Sequence, residues 1–302
     1  MDNEKNAKAA DWLLLSLLSF VWGFSFFFIK KGLIAFSPLQ VGALRIFLAF
    51  LTLLPVFLFK KITIPRNQLK DIFWVGLFGS GLPPFLYAIA QQKIDSSITG
   101  ILNSLVPLST FIIGMIVFKI QFKTNQIIGV FVGLAGALII VFFKSDGSFQ
   151  FEFFYALMVI LATVCYGINA NLIKSAINNI DPISIAVGAF TMMGPIAGII
   201  LFQTDFIEVM QTHPQAKMSL INLFLLAFLG TGYALIAFNY LIHRTNALFA
   251  TMTTYLIPIV AVIVGVFDGE SIGFIQIAGM IMILIGIFIT NYSFRKRYLK
   301  AN

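Results

Sequence analysis

The chain has 302 residues, 59% of them hydrophobic and only 11% charged, with a mean hydropathy of +0.96. Such a composition is too apolar for a water-soluble globular domain and assigns the chain to a lipid bilayer. The net charge of +8 does not point to nucleic acid, because the basic residues flank apolar runs, where anionic lipid and topology account for them.

Residues 1–11 form a short polar tail, and the first apolar run, 12–29, leads into Lys30-Lys31 without a small-residue cleavage site, so it reads as an uncleaved first span. The second run, 38–59, opens at Pro38 and carries Arg45, the one Asp, Glu, Lys, Arg or His in the apolar interior of any run. The third, 71–92, holds Gly79-Ser80-Gly81 and Pro83-Pro84; the fourth, 97–118, holds Asn103 and Pro107; the fifth, 125–143, holds Gly129 and Gly133. The sixth, 153–173, carries Tyr166, Asn169 and Asn171, and the seventh, 183–202, carries Pro195. The eighth, 219–242, contains Asn239 and Tyr240; the ninth, 247–267, contains Thr251, Thr254, Tyr255 and Pro258; the tenth, 273–292, contains Gly279 and Gly286. Each run is near the ~20 residues that cross a bilayer as a helix, and the short connections between them make neighbours antiparallel. The tail 293–302 is basic. If the N-terminus is cytoplasmic, fourteen Lys and Arg lie on its side and five (Lys30, Lys31, Lys93, Lys144 and Lys217) on the other, which puts both termini in the cytoplasm of a cell whose inner (plasma) membrane the chain spans.

The order of small and polar residues repeats. Trp22-Gly23-x-x-Phe26-x-x-x-Lys30 with Pro38 returns as Tyr166-Gly167-x-x-Ala170-x-x-x-Lys174 with Pro182. Gly79-Ser80-Gly81 returns as Gly230-Thr231-Gly232, Leu105-Val106-Pro107 as Leu256-Ile257-Pro258, and Gln126-x-x-Gly129 as Gln276-x-x-Gly279. The offsets, 144, 151 and 150, change only at loops, as duplicated halves require. Five spans per half is an odd number, so the second half enters the membrane inverted. The expected fold is therefore all-α and polytopic, ten transmembrane helices forming two inverted five-helix repeats, 12–143 and 153–292, around a central cavity.

These residues also carry a resemblance. W-G-x-x-F in the first span, an Arg seven residues after Pro38, L-x-P in the fourth and Gly269-Glu270 after the ninth resemble the EamA-type family of the drug/metabolite transporter superfamily over about residues 12–292. The resemblance implies export or exchange of small metabolites by alternating access through a cavity between the two halves. The family's acidic position after the fourth span is Lys119 here, and the second half keeps Glu270.

Chemistry is limited by what the spans lack. Without intramembrane acids or histidines there is no buried proton relay, acid pair, nucleophile–base pair or metal set, so the chain reads as a carrier without enzyme activity, cofactor or metal. Arg45 lies roughly 10 Å along its helix; its guanidinium either faces the bundle interior in a structural or gating role or snorkels to the headgroups. The candidate substrate-binding residues are Trp22, Phe26, Asn103, Tyr166, Asn169, Asn239, Thr251, Thr254 and Tyr255, because aromatic rings and uncharged amides or hydroxyls at helical spacing line a cavity or bond between helices. Interhelical packing and hydrogen bonding are the competing role for each of these, while Pro107, Pro258 and Glu270 join Arg45 as candidate gating or structural residues, the prolines as paired hinges or as static kinks that fit the bundle. The glycines of the fifth and tenth spans are close-packing faces, serving the scaffold or a dimer. The expected partners are a small neutral or zwitterionic molecule, amino acids first, and the lipid bilayer; the protein is a monomer or weak dimer and binds no nucleic acid. A membrane scaffold or sensor, or an exporter of lipophilic drugs or lipids, would use much the same composition.

Overall fold

The computed structural model describes residues 8–60, 62, 64–119, 124–143, 152–177, 180–244 and 253–298. Apart from a single isolated bridge residue, the regular structure among them is helical: α1 (Ala9–Gly32), α2 (Pro38–Phe59), α3 (Leu69–Gly76), α4 (Leu82–Ala90), α5 (Ser96–Asn103), α6 (Val106–Ile116), α7 (Thr124–Phe142), α8 (Phe153–Ala176), α9 (Pro182–Phe202), α10 (Phe206–Thr212), α11 (Ala216–Ala227), α12 (Ala234–Arg244), α13 (Thr253–Phe267) and α14 (Phe274–Tyr298). Among the described residues, seven helical stretches are long and apolar enough to cross a membrane, and three shorter apolar helices, Gln126–Phe142, Thr253–Phe267 and Phe274–Ile289, accompany them. The lateral surface is apolar, with Leu13, Phe59, Phe267 and Phe274 largely exposed, as suits a protein whose solvent is hydrocarbon.

Local chemistry sets the ends of several helices. α2 starts at a capping box, in which the Ser37 hydroxyl accepts from the Gln40 N–H at 3.3 Å and the Gln40 side chain accepts from the Ser37 N–H at 2.9 Å, with Pro38 pre-set at the first helical position. α9 starts likewise with Pro182 after Asp181, whose carboxylate accepts from the Ser184 N–H at 3.1 Å. Two π-helical turns, Leu77–Gly81 and Phe228–Tyr233, interrupt the third and eighth apolar runs at the two glycine-flanked triplets matched in the repeat. A π turn inserts a residue and frees carbonyls, and such turns concentrate at working positions in helices.

The halves interlock. α1 runs along α13, and α8 along α6; a Cβ at Gly23 would sit 2.6 Å from Val260, and one at Gly167 would sit 2.9 Å from the Ser109 backbone. Gly23 and Gly167 correspond in the repeat, as do Ser109 and Val260. Gly79 meets the Asn169 amide, and Gly230 meets the Ser25 hydroxyl, again corresponding pairs. α7 and α14 pack together where Gly286 approaches the backbone of Gly129 and Gly133, and Gly136 approaches Gly279. These glycines are thus used within the chain as scaffold. The paired proline kinks are realised unequally: α5 ends at Asn103 and α6 resumes at Val106, just before Pro107, whereas Pro258 sits inside an unbroken α13.

Candidate functional site

Five helices bring side chains together in the interior. Tyr87 on α4 is fully buried, its hydroxyl donates to Asn103 Oδ1 on α5 at 2.5 Å, and its ring lies edge-on to Phe26 of α1 with centroids 5.7 Å apart. Tyr166 on α8 lies 6.2 Å from the Tyr87 ring, and the Arg45 guanidinium of α2 lies beside the Tyr166 hydroxyl and within electrostatic reach of Tyr87. Arg45 therefore faces the interior, not the headgroups. Among the described residues it has no carboxylate partner.

The remaining candidates surround this cluster. One turn before Phe26, the Trp22 indole N–H donates to the Gly230 carbonyl at 3.0 Å, and its ring meets Phe238 edge-on at 5.3 Å, so it fastens α1 to the second π turn. One turn after Tyr166, Asn169 lies against Gly79 of the first π turn, with its Oδ1 buried and unpartnered. Asn171, also on α8, donates to the carbonyls of Thr110 and Gly167, both at 2.9 Å, and is a packing residue. Thr254 and Tyr255 are half-buried on α13, with Tyr255 against the main core. Thr251 and the side chain of Asn239 lie outside the described residues.

Above the cluster, on the face away from the N-terminus, an ion-pair network joins α1, the start of α5 and the turn after α13. Glu270, expected near the outer surface, is buried, its side chain only 2% exposed. It accepts from Lys30 Nζ at 2.7 Å, from the Ser96 N–H and hydroxyl at 3.0 and 2.8 Å, and from the Ser97 N–H and hydroxyl at 2.9 and 2.5 Å. The N-cap residue Asp95 contributes no side-chain cap to α5, so the unpaired N–H groups at that helix start are satisfied by a carboxylate from the other half of the chain. Asp268 binds Lys30 at 2.8 Å and Lys31 at 2.5 Å. Burial alone would raise the Glu270 carboxyl, but the hydrogen bonds from Lys30, Ser97 and Ser96 overcome it and hold the group below the usual glutamate range. Burial likewise works against Asp268, and Lys30 and Lys31 hold it low.

The turn that aims Glu270 inward needs the left-handed backbone of Gly269, φ +87°. In the first half Lys119 takes that conformation, φ +51°. By backbone geometry Lys119 is thus the counterpart of Gly269, which shifts the register by one residue and makes position 120, outside the described residues, the counterpart of Glu270. It is an isoleucine, so the first half holds no acid there. On the N-terminal face the ties are different: Arg244 pairs with the buried Asp11 at 2.9 Å, and Lys60 with Asp181 at 3.3 Å, an exposed pair.

Sequence reading missed Tyr87, Lys30, Asp268 and the Ser96-Ser97 pair as site residues. Tyr87 had a signal: it corresponds in the repeat to Phe238, which meets Trp22 as Tyr87 meets Tyr166.

The chain can now be set beside known proteins. It is 24% identical over 280 residues to an uncharacterized transporter of Archaeoglobus fulgidus, covering 92% of this chain and 97% of that one. It is 25% identical over 266 residues to the uncharacterized inner membrane transporter YedA of Escherichia coli, covering 87% and 84%. It is 24% identical over 298 residues to a probable amino-acid metabolite efflux pump of Salmonella typhimurium, covering 95% and 96%. A solved crystal structure shares the fold with a TM-score of 0.64 at 15% identity, over 96% of this chain and 99% of that one. The model of the EamA-like transporter family matches residues 11–142 and 153–292, nearly the whole sequence. With its apolar helices, glycine-packed halves and matching family model, this multi-pass membrane protein belongs to the EamA-like transporter family.

Proposed function

We propose that the protein carries small neutral or zwitterionic metabolites, amino acids first, across the inner (plasma) membrane by alternating access between two inverted five-helix halves, 12–143 and 153–292, with both termini cytoplasmic. Export or exchange is the direction in keeping with the family. The observation that carries this reading is the convergence of Phe26, Arg45, Tyr87, Asn103 and Tyr166 from five helices beneath a closed ion-pair network. A lining of rings, hydroxyls and amides suits a solute of zero net charge, since it offers hydrogen bonds and apolar contact with a single cation.

Helix α5 supports a gating role for the network. Its N-terminus is gripped by Glu270 and its C-terminus presents Asn103 to the cluster, about 10 Å away at 1.5 Å per residue. The break at Ser104 and Leu105, where the N–H groups reach back three residues instead of four, is a hinge on which α5 can move against α6. Releasing Glu270 would free α5 to tilt and open the cluster to the far face. With no acid among the described residues of the cluster, exchange or facilitated diffusion fits better than proton antiport.

The test is flux of a labelled neutral amino-acid panel into proteoliposomes, with and without a pH gradient, and with Trp22→Ala plus Asn103→Ala as the control. Flux through the parent that the control loses, and that ignores the gradient, is the expected result; a folded parent that carries nothing refutes the reading. A second reading, carriage of lipids or lipophilic drugs, draws on the apolar lateral groove lined by Phe20, Phe24, Phe28, Leu225 and Leu229.

A further inference from the structure

We propose that Arg45 is the anchor for a substrate carboxylate, with Asn169 receiving the ammonium, so that the solutes carried are those bearing a free carboxylate beside an amine. This deepens the transport reading and rests on it.

The argument begins with charge. An arginine side chain within a span is costly unless it is paired, wetted or given a ligand. The described cations of the ion-pair networks, Lys30, Lys31, Lys60 and Arg244, each have a carboxylate within 3.3 Å. Among the described residues Arg45 has none. It faces Tyr166, thirteen residues into α8 and so about 20 Å along that helix. The groups nearby, the hydroxyls of Tyr166 and Tyr87, carry no charge to pair with it. A planar guanidinium pairs with a carboxylate through two parallel hydrogen bonds, which a lone tyrosine hydroxyl does not supply.

The second observation is independent. Asn169 Oδ1 is buried and has no hydrogen-bond partner among the described residues, an acceptor open to an incoming donor. Asn169 follows Tyr166 by three residues, so both lie on one face of α8, about 4.5 Å apart along the axis. An α-amino acid carries its carboxylate and ammonium on one carbon, so groups one turn apart can meet both, with the side chain left to Phe26 and the rings around it. Among the described residues of the cluster Arg45 is the one cation, which suits a monoanionic carboxylate and disfavours phosphate dianions.

The test compares neutral L-amino acids with their carboxamides, which keep the side chain and the amine and lack the carboxylate. Binding to the purified protein in detergent is read by calorimetry, and flux is read in proteoliposomes. The expected result is that the parent binds the acids at least about tenfold more tightly than the amides, as loss of a charge-assisted bidentate pair implies. Arg45→Gln should bring that ratio close to one while Arg45→Lys keeps part of it, and ligand-free melting of each variant reports folding. The acid-to-amide comparison on the parent needs no variant, so misfolding of Arg45→Gln leaves the question open to measurement. Acids and amides bound alike by the parent, acids bound by neither protein, or an unchanged ratio in folded Arg45→Gln would overturn the anchor. Flux distinguishes the two levels: a parent that carries amides as well as acids remains a transporter without this anchor, and a parent that carries no solute loses both readings.

Discussion

Replacing Glu270 by glutamine tests whether the ion-pair network holds the far face shut. The carboxylate accepts five hydrogen bonds, one from Lys30 and two each from Ser96 and Ser97. An amide keeps one oxygen, good for about two of them, and turns its NH2 against the remaining donors. Hydrogen bonds to a charged group contribute about 1.5–3 kcal/mol each, and breaking a buried ion pair costs about 3–5 kcal/mol. The loss here is smaller than the sum, because Lys30 retains Asp268 at 2.8 Å and the serine hydroxyls can turn elsewhere. We take about 2–4 kcal/mol, a change of roughly 30- to 700-fold in the closed-to-open ratio. The reporter is Ser104→Cys in a Cys165→Ala background, which places the only thiol below the network in a nearly isosteric position. Labelling by a membrane-impermeant thiol reagent from the far face should speed up strongly in Glu270→Gln, and labelling from the N-terminal face should not. A rate within about twofold of the parent, in protein that melts normally, would refute the reasoning.

The same reporter predicts a pH response. Glu270 and Asp268 are both held low, so the closed state binds fewer protons than the open one; its stabilisation is complete above the ordinary carboxylate range and disappears as pH falls through the lowered values. Labelling, read as a ratio to Glu270→Gln so that the reagent's own pH dependence cancels, should be flat at neutral pH and rise only below about pH 4; a midpoint near pH 6–7 would contradict it. Gly286→Ala should lower the melting midpoint in detergent by about 1–3 kcal/mol of stability, since its Cβ would lie 2.5 Å from the Gly133 nitrogen and 2.6 Å from the Gly129 carbonyl oxygen, backbone atoms that no rotamer moves. An unchanged midpoint would mean that α7 and α14 are not in close contact. Trp22→Phe keeps a ring against Phe238 but deprives the Gly230 carbonyl of its donor, costing about 1–2 kcal/mol by the same measurement; indifference would show that the π turn is satisfied without it.

By itself the sequence determined the solvent and the element type. Long apolar runs have one inexpensive form in hydrocarbon, the helix that satisfies its own backbone, so hydropathy gave helices at their places. The repeat gave which residues correspond, and the contacts of Gly23 with Val260 and Gly167 with Ser109 follow that register. It also marked Phe26, Asn103, Tyr166 and Arg45, because polar or aromatic groups stand out in an apolar run. Tertiary structure decided the rest, since those facts concern direction and distance between residues far apart in the chain. Which way Arg45 points depends on Tyr166, 121 residues later. That Glu270 is buried depends on two serines at the start of a helix in the other half, whose free N–H groups need an acceptor that the local Asp95 does not provide. Composition registers Glu270 as a loop carboxylate between apolar runs; only the packing of α1, α5 and α13 makes it a buried bond among them.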